Sequence, residues 1–275
     1  MGTLFVVATP IGNLEDITLR ALRTLREVRV IAAEDTRTAR KLLNRYDIHT
    51  PATSYYEHNR ALKVPRLLAE LEQGDVALIS EAGMPGVSDP GQALVRAAIE
   101  AGHPVVPIPG PSAVTAALAV SGLDADRFLF LGFLPRRPAE RRALLQSVAA
   151  LPYTLVFFEA PHRILAGLAD AERILGDRAA ACAQELTKLH ERVQRGTLSE
   201  IRTALEASDR RGEYTIVVAG ATPQEPKVWP REQVEAALRE RLAAGVSARD
   251  AARDVAKEAA WPARAVYDMS IQIKK

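Results

Sequence analysis

Five short β-branched runs, separated by stretches of helical periodicity, fill the first 120 residues of this 275-residue chain. They fall at residues 4–8, 28–33, 52–56, 76–80 and 105–108. Strand–helix alternation is the pattern of a parallel sheet, because parallel neighbours are reached only through a crossover long enough to hold a helix. Between the third and fourth runs, Val64, Leu67, Leu68 and Leu71 recur at i, i+3, i+4 and i+7, one face of a helix.

The loops after these strands are too rich in Gly and Pro to be plain connectors. SEAGMPGVSDPG spans residues 80–91, IPGPSA spans 108–113 and TPIGNL spans 9–14. In open α/β sheets, ligands sit in the crevice at the carboxyl ends of the strands. Small residues there let a ligand approach the backbone and bond to its N–H groups. A small-molecule site in the first half is therefore expected. Gly86 and Gly91 have the spacing of a nucleoside-triphosphate loop, but Gln92-Ala93 replace its Lys-Ser/Thr. No G-x-G-x-x-G follows the first strand, which disfavours a dinucleotide fold. Asp89 before Pro90 reads as a helix N-cap, and Ser112 after Pro111 as another.

Beyond a break at residues 121–126 come strands at 128–131, 154–158, 179–183, 192–196 and 214–219. Helices are expected at 139–150, at 162–175 and from Ser199. The last strands are closely spaced, with Gly196 and Gly212 marking turns, so a mixed or antiparallel sheet is expected. Residues 221–230 hold three prolines and read as a linker. The remainder looks helical, with Val234, Leu238 and Leu242 on one face, a cap at Ser247, and Trp261-Pro262 opening a short last helix. Its cadence fits a helix-turn-helix, or a packing appendage. The fold class is α/β: a parallel-sheet domain over 1–120, a mixed-sheet domain over 121–220 and a helical domain over 231–275.

The net charge of +2 lacks the strong basic excess common in nucleic-acid binders. The only cysteine, Cys182, excludes internal disulfides and a Cys-rich zinc site. No metal-ligand spacing and no G-x-S-x-G elbow is present. The start lacks a secretory pattern, and no apolar run approaches the roughly 18 residues of a membrane span. The chain reads as cytoplasmic.

Several polar segments stand at strand ends. Glu34-Asp-Thr-Arg37 is either a catalytic carboxylate pair or a helix cap with a local Asp–Arg contact, and residue types favour the cap. His58, in YYEHNR, is a base, a substrate contact or a surface turn. Arg136, Arg137, Arg141 and Arg142 crowd seven residues against Glu140. Such a cluster is a solvated helix face or a partner for RNA phosphates. FEAPHR (158–163) and ELTKLHE (185–191) add Glu159, Arg163, Glu185, Lys188 and His190. Polar groups at the strand ends of both halves fit a site between two domains.

Taken in order, TPIGNLED, EDTR, EHN, SEAGMPGVSDPG, PGPSA, GFLP, FEAPHR and ELTKLHE resemble one family closely. The chain is similar to the tetrapyrrole methylase superfamily, the class III S-adenosylmethionine-dependent methyltransferases. Within it, the resemblance is to the bacterial branch that modifies the ribose 2′-oxygen of a cytidine in small-subunit (16S) ribosomal RNA. It implies two α/β domains with the methyl donor S-adenosylmethionine folded into the cleft between them, and a homodimer acting on rRNA or the small ribosomal subunit. Donor contacts would fall at Pro10, Glu81, Ala82, Gly83, Met84, Ser112, Ala113, Glu159, Leu186 and Thr215. The family usually has Asp where Glu81 stands here, and often Thr in place of Met84. A ribose hydroxyl needs a base; His58, Glu185, Lys188 and His190 are the candidates, with Glu57 and Glu159 also at strand ends. Arg136, Arg137 and Arg163 are the expected RNA contacts, and no metal is expected. The alternatives are a tetrapyrrole methyltransferase and a non-catalytic ribosome-binding factor on the same fold.

Overall fold

Strand and helix alternate through the first half of the computed structural model, which describes residues 1–89, 91–222 and 228–274. In order these are β1 (Leu4–Val7), α1 (Leu19–Glu27), β2 (Val30–Ala33), α2 (Thr36–Arg45), β3 (Ala52–Ser54), α3 (Arg60–Gln73), β4 (Val76–Ile79), α4 (Gln92–Glu100), β5 (Val105–Ile108) and α5 (Ala113–Ser121). The five strands form one all-parallel sheet in the order β3-β2-β4-β1-β5. Pro107 sits in β5, which is tolerated because β5 is an edge strand. Leu22, Leu25, Leu42 and Leu43 of α1 and α2 cover one face with Ile31 and Ile79. Leu67, Leu71, Leu94 and Ala98 of α3 and α4 cover the other with Leu4 and Leu78.

The second half contains β6 (Phe128–Phe133), α6 (Pro138–Val148), β7 (Thr154–Glu159), α7 (Ile164–Leu175), β8 (Ala179–Gln184), β9 (Arg192–Thr197), α8 (Leu198–Glu206) and β10 (Tyr214–Val218). Its sheet runs β6-β7-β10-β8-β9 and is mixed, one of the two arrangements the spacing predicts. β6 lies parallel to β7, while β10 runs antiparallel to both β7 and β8. One face packs on α6–α8 through Leu145, Phe157, Leu168, Ile201 and Ile216. The opposite face packs on Val114, Ala117 and Leu118 of α5 through Val156, Ala181 and Val217. The last helix of the first half thus serves the second sheet.

Several boundaries differ from the sequence reading for local reasons. β2 starts at Val30 because Val28 still closes α1, its N–H donating to Thr24 O at 3.1 Å. β3 stops at Ser54 because residues 56–59 turn, with Asn59 Oδ1 accepting the Tyr56 N–H at 2.9 Å. β6 runs on to Phe133 across a bulge containing Gly132 at φ +67°. α4 begins at Gln92 with Gly91, not Asp89, at its cap; Pro90 lies outside the described residues. Ser112 does hold the cap position of α5, but its side chain makes no capping bond.

The described chain forms two compact units, Met1–Ala221 and Thr222–Lys275. The second holds α9 (Arg231–Ala243), α10 (Ala248–Ala259) and α11 (Ala263–Lys274) around Val234, Leu238, Val255 and Val266. Ser247 caps α10, accepting the Asp250 N–H. Most of the proline-rich stretch, residues 223–227, lies outside the described residues. Among the described residues, no helix is long and apolar enough to cross a membrane, and no cluster of His, Cys, Asp or Glu could hold a metal ion.

Candidate active site

Glycines shape the loops at the carboxyl edge of the first sheet. Thr9 and Gly83 exchange backbone bonds, Thr9 N–H to Gly83 O at 2.9 Å and Gly83 N–H to Thr9 O at 3.0 Å. Gly83 does this at φ +78°, where a side chain is strained. The β1 loop then crosses to the second half. A Cβ on Gly12 would stand 2.5 Å from Lys188 Cγ, and the Asn13 N–H donates to Thr187 Oγ1 at 2.9 Å. This loop is a clasp between the halves. Pro10 is buried within it and does not line the cavity beside it, whereas Ile11 does.

That cavity has a volume of about 350 Å³, within the range of cofactor pockets, roughly 300–1,000 Å³. Glu81, Ala82, Gly83 and Met84 line it from the β4 loop, and Ser112 and Ala113 from the start of α5. Glu159 at the end of β7, Leu186 after β8 and Thr215 in β10 line it from the second half. Five carboxylate residues, Glu34, Glu81, Asp89, Glu159 and Glu213, share the lining, with no Lys, Arg or His among the described residues. Such a wall attracts a cation and repels a phosphate.

Burial governs the electrostatics. Desolvation pushes the Asp89 carboxyl up to about 6; Ser80 opposes this by hydrogen bonding and Glu81 adds to it. Glu34 is raised by burial first and then by the Asp89 charge. Glu159 is raised by burial, against the Ala160 N–H at 2.9 Å and Arg163 at 2.6 Å, both on its Oε1. Glu159 Oε2 and the Tyr214 hydroxyl are buried without a partner among the described residues. Unpaired polar atoms, small-residue loops, apolar Leu186 and Val114 and a carboxylate wall together fit a nucleoside that carries positive charge.

A family model described as Tetrapyrrole (Corrin/Porphyrin) Methylases matches residues 3–202. The chain belongs to the tetrapyrrole methylase family. It is 46% identical over 276 residues to a protein of Synechocystis named Ribosomal RNA small subunit methyltransferase I, covering 100% of this chain and 99% of that one. A protein of the same name from Halalkalibacterium halodurans is 45% identical, covering 98% and 94%. Another from Pseudomonas aeruginosa is 50% identical, covering 80% and 79%. Among solved structures, diphthine synthase aligns with TM-score 0.61 at 17% identity, covering 80% of this chain and 90% of that one. Uroporphyrin-III-C-methyltransferase from Thermus thermophilus aligns with TM-score 0.57 at 24% identity, covering 80% and 94%. Both share the fold. This chain is a methyltransferase, and tetrapyrrole methylases generally use S-adenosylmethionine.

Within this methylase, several residues singled out from sequence have other tasks. Glu185 adopts φ +53°, and its Oε1 accepts the Glu213 N–H at 3.0 Å and Lys188 Nζ at 2.8 Å. Lys188 Nζ also reaches Glu213 Oε2 at 3.1 Å. These contacts lower the Glu185 carboxyl and raise the Lys188 ammonium, so neither is suited to accept a proton. Neither they nor the exposed His190 line the cavity. Arg163 is held by Glu159 at 2.6 Å and by Leu134 O at 3.3 Å. Arg141 is buried and grips Asp170 Oδ2 at 2.8 and 2.6 Å. Arg136 and Arg137 are exposed, Arg137 pairing with Glu140 at 3.1 Å. Asp35 is the cap of α2 and holds Arg37, as its residue types favour. Glu34, by contrast, faces the cavity. His58 lines an adjoining open recess.

From sequence, Glu34 is weighed only as one of a carboxylate pair; the residues missed were Ser88 and Asp89, and Gly212–Tyr214 at the start of β10. The first two lie in the Gly/Pro loop after β4, already read as a ligand loop. The last three carry no loop signature, because β10 enters the site by its amino end.

Proposed function

We propose that the protein transfers the methyl group of S-adenosylmethionine to the ribose 2′-oxygen of a cytidine in small-subunit (16S) ribosomal RNA, acting in the cytoplasm as a homodimer on the small ribosomal subunit. The observation that carries this reading is 46% identity, end to end, with a protein named Ribosomal RNA small subunit methyltransferase I. The carboxylate-lined cavity supports the donor, because a sulfonium and an ammonium suit its wall and a nucleotide phosphate does not.

Bound there, the donor supplies an electrophilic methyl on a sulfonium that becomes a neutral thioether. The chain's residues mainly align and desolvate. Gly83 lets the β4 loop approach the ligand closely, and Ser112 and Ala113 bring the start of α5 to the cavity wall. Leu186 and Val114 exclude water, so that alignment carries much of the rate. The Arg163 pairing and the Ala160 N–H hold Glu159 in place on the opposite wall. Glu81 and Met84, the two departures from the family's usual residues, line the cavity. Arg136 and Arg137 contact RNA phosphates, and His58 contacts the substrate from the recess.

The test is incubation with radiolabelled S-adenosylmethionine and small ribosomal subunits from a strain lacking this activity, followed by RNA digestion. Label on the 2′-oxygen of one cytidine supports the reading. Donor binding without label in RNA overturns it.

A further inference from the structure

Beside the donor cavity lies a second, open recess of about 500 Å³, lined by Tyr56, Glu57, His58, Gly86 and Gln92 as well as by residues of the cavity itself. Three residues are common to both linings: Glu34, Ser88 and Asp89. A methyl group held in the cavity meets a nucleophile in the recess only at this junction. We infer that the recess is the acceptor nucleoside subsite and that Asp89 is the base that takes the proton of the attacking ribose hydroxyl. The inference rests on ribose methylation as proposed above.

The geometry separates Asp89 from the other candidates. His58 lines the recess but not the cavity, so it faces the substrate away from the reacting oxygen. Glu185 and Lys188 are bound to each other and line neither. Glu34 also stands at the junction; its Oε2 accepts the Glu81 N–H at 3.4 Å, and the Asp89 charge adds to burial in raising its carboxyl, which disfavours its proton-accepting form beside an ionised Asp89. Ser88 is a neutral donor or acceptor and serves to orient a hydroxyl. Tyr56, 42% exposed on the recess wall, offers a ring on which a base can stack.

In the step itself, the ribose O–CH₃ bond forms as the S–CH₃ bond breaks with its electron pair left on sulfur, and the hydroxyl proton passes to the Asp89 carboxylate and then to water. Asp89 is faced by Glu34 at the end of β2, by Ser80 and Glu81 at the end of β4, and by Glu57 and His58 across the recess. Its carboxyl, pushed up to about 6, is ionised at neutral pH yet more basic than an ordinary carboxylate, which is the match a general base needs.

The experiment measures turnover against pH at saturating S-adenosylmethionine and rRNA for the wild type, Asp89→Asn and Glu81→Gln. Folding is followed by circular dichroism and donor binding by calorimetry. Asp89→Asn is expected to lose on the order of 100-fold or more in turnover and the acid limb near pH 6. Glu81→Gln removes the like charge that raises Asp89 and is expected to move that limb to lower pH, a shift that a purely structural role would not produce. Turnover of Asp89→Asn within a few-fold of wild type, or an unmoved limb in Glu81→Gln, overturns the assignment. If Asp89→Asn does not fold, the limb of Glu81→Gln decides alone. Failure of the wild type to label a ribose oxygen overturns the proposed function and this inference together. A labelled wild type with an unaffected Asp89→Asn overturns only this inference.

Discussion

The two halves of the first unit treat buried charge in opposite ways. In the second half, buried or half-buried carboxylates are paired: Asp170 with Arg141 at 2.6 Å, Glu159 with Arg163 at 2.6 Å, and Glu185 with Lys188 at 2.8 Å. In the first half, Glu34 and Asp89 sit at the cavity junction with no cation in contact among the described residues; burial raises both, the Asp89 charge adds to Glu34, and the Glu81 charge adds to each. The sheets differ in the same sense. Every strand of the first sheet delivers its carboxyl end and a ligand loop to one edge, whereas the second delivers three carboxyl ends and, in β10 and β9, two amino ends. Pairing secures the second half, and unpaired charge equips the first for chemistry.

The largest expected effect breaks the paired side. Arg141→Ala leaves Asp170 without its buried cation, in a pair whose side chains are 6% and 11% exposed. A broken buried pair costs about 3–5 kcal/mol, and thermal denaturation should show a Tm several degrees lower. Unchanged Tm would mean that Arg142, at 3.9 Å, and Arg173, at 2.5 Å, already satisfy Asp170. A smaller effect breaks the ligand-loop side. Gly83→Ala meets no atom closer than 3.6 Å, so the strain comes from φ +78° alone, about 1–2 kcal/mol. Calorimetry should show weaker S-adenosylmethionine binding. Gly167→Ala attacks the opposite wall, because its Cβ would stand 3.0 Å from Glu159 Oε2 and push that side chain off its place.

How far these sites could be read from sequence follows from the same contrast. The strands of the first sheet announce themselves because parallel strands are buried on both faces and read as apolar runs. Their Gly/Pro loops mark the site directly, whereas the individual positions Glu81, Gly83 and Ser112 come from the family resemblance. Asp89 was hidden because Asp before Pro is also a capping signature, and only the folded loop shows α4 starting later, at Gln92. Glu213 and Tyr214 were hidden because antiparallel pairing of β10 is a nonlocal fact. Arg141 could not be told apart from its neighbours Arg136, Arg137 and Arg142 because a guanidinium reads alike in sequence whether it faces water or Asp170.

The unpaired side should also announce itself in stability. Asp89 titrates near 6 when folded, against an ordinary value of 3.8, so the folded state binds its proton more tightly than the unfolded one. Its contribution to stability is therefore full below the unfolded value and is lost as pH rises through about 6. Asp89→Asn should raise Tm at pH 7–8, and the gain should vanish as pH falls toward 4. Glu185 behaves oppositely: lowered by Lys188, it stabilises above its unfolded value and loses that contribution as pH falls. A gain in Asp89→Asn that persists at pH 4 would contradict this account of the junction.

The smallest expected effect concerns the exposed arginines. Arg136 and Arg137 lie at the surface, and the Arg137–Glu140 pair is solvent-exposed on both sides, 82% and 55%, so Arg136→Ala/Arg137→Ala should change stability by no more than about 0.5 kcal/mol. RNA binding is where they should count. Each phosphate contact contributes about 0.7–0.9 to the slope of log affinity against log salt, so losing both should flatten that slope by about 1.5 while leaving the donor cavity untouched. An unchanged slope would move the RNA path away from the β6–α6 turn. Arg141→Ala should do the reverse, lowering Tm with the salt slope intact, and this double dissociation separates the arginines that hold the second half together from those free to meet the substrate.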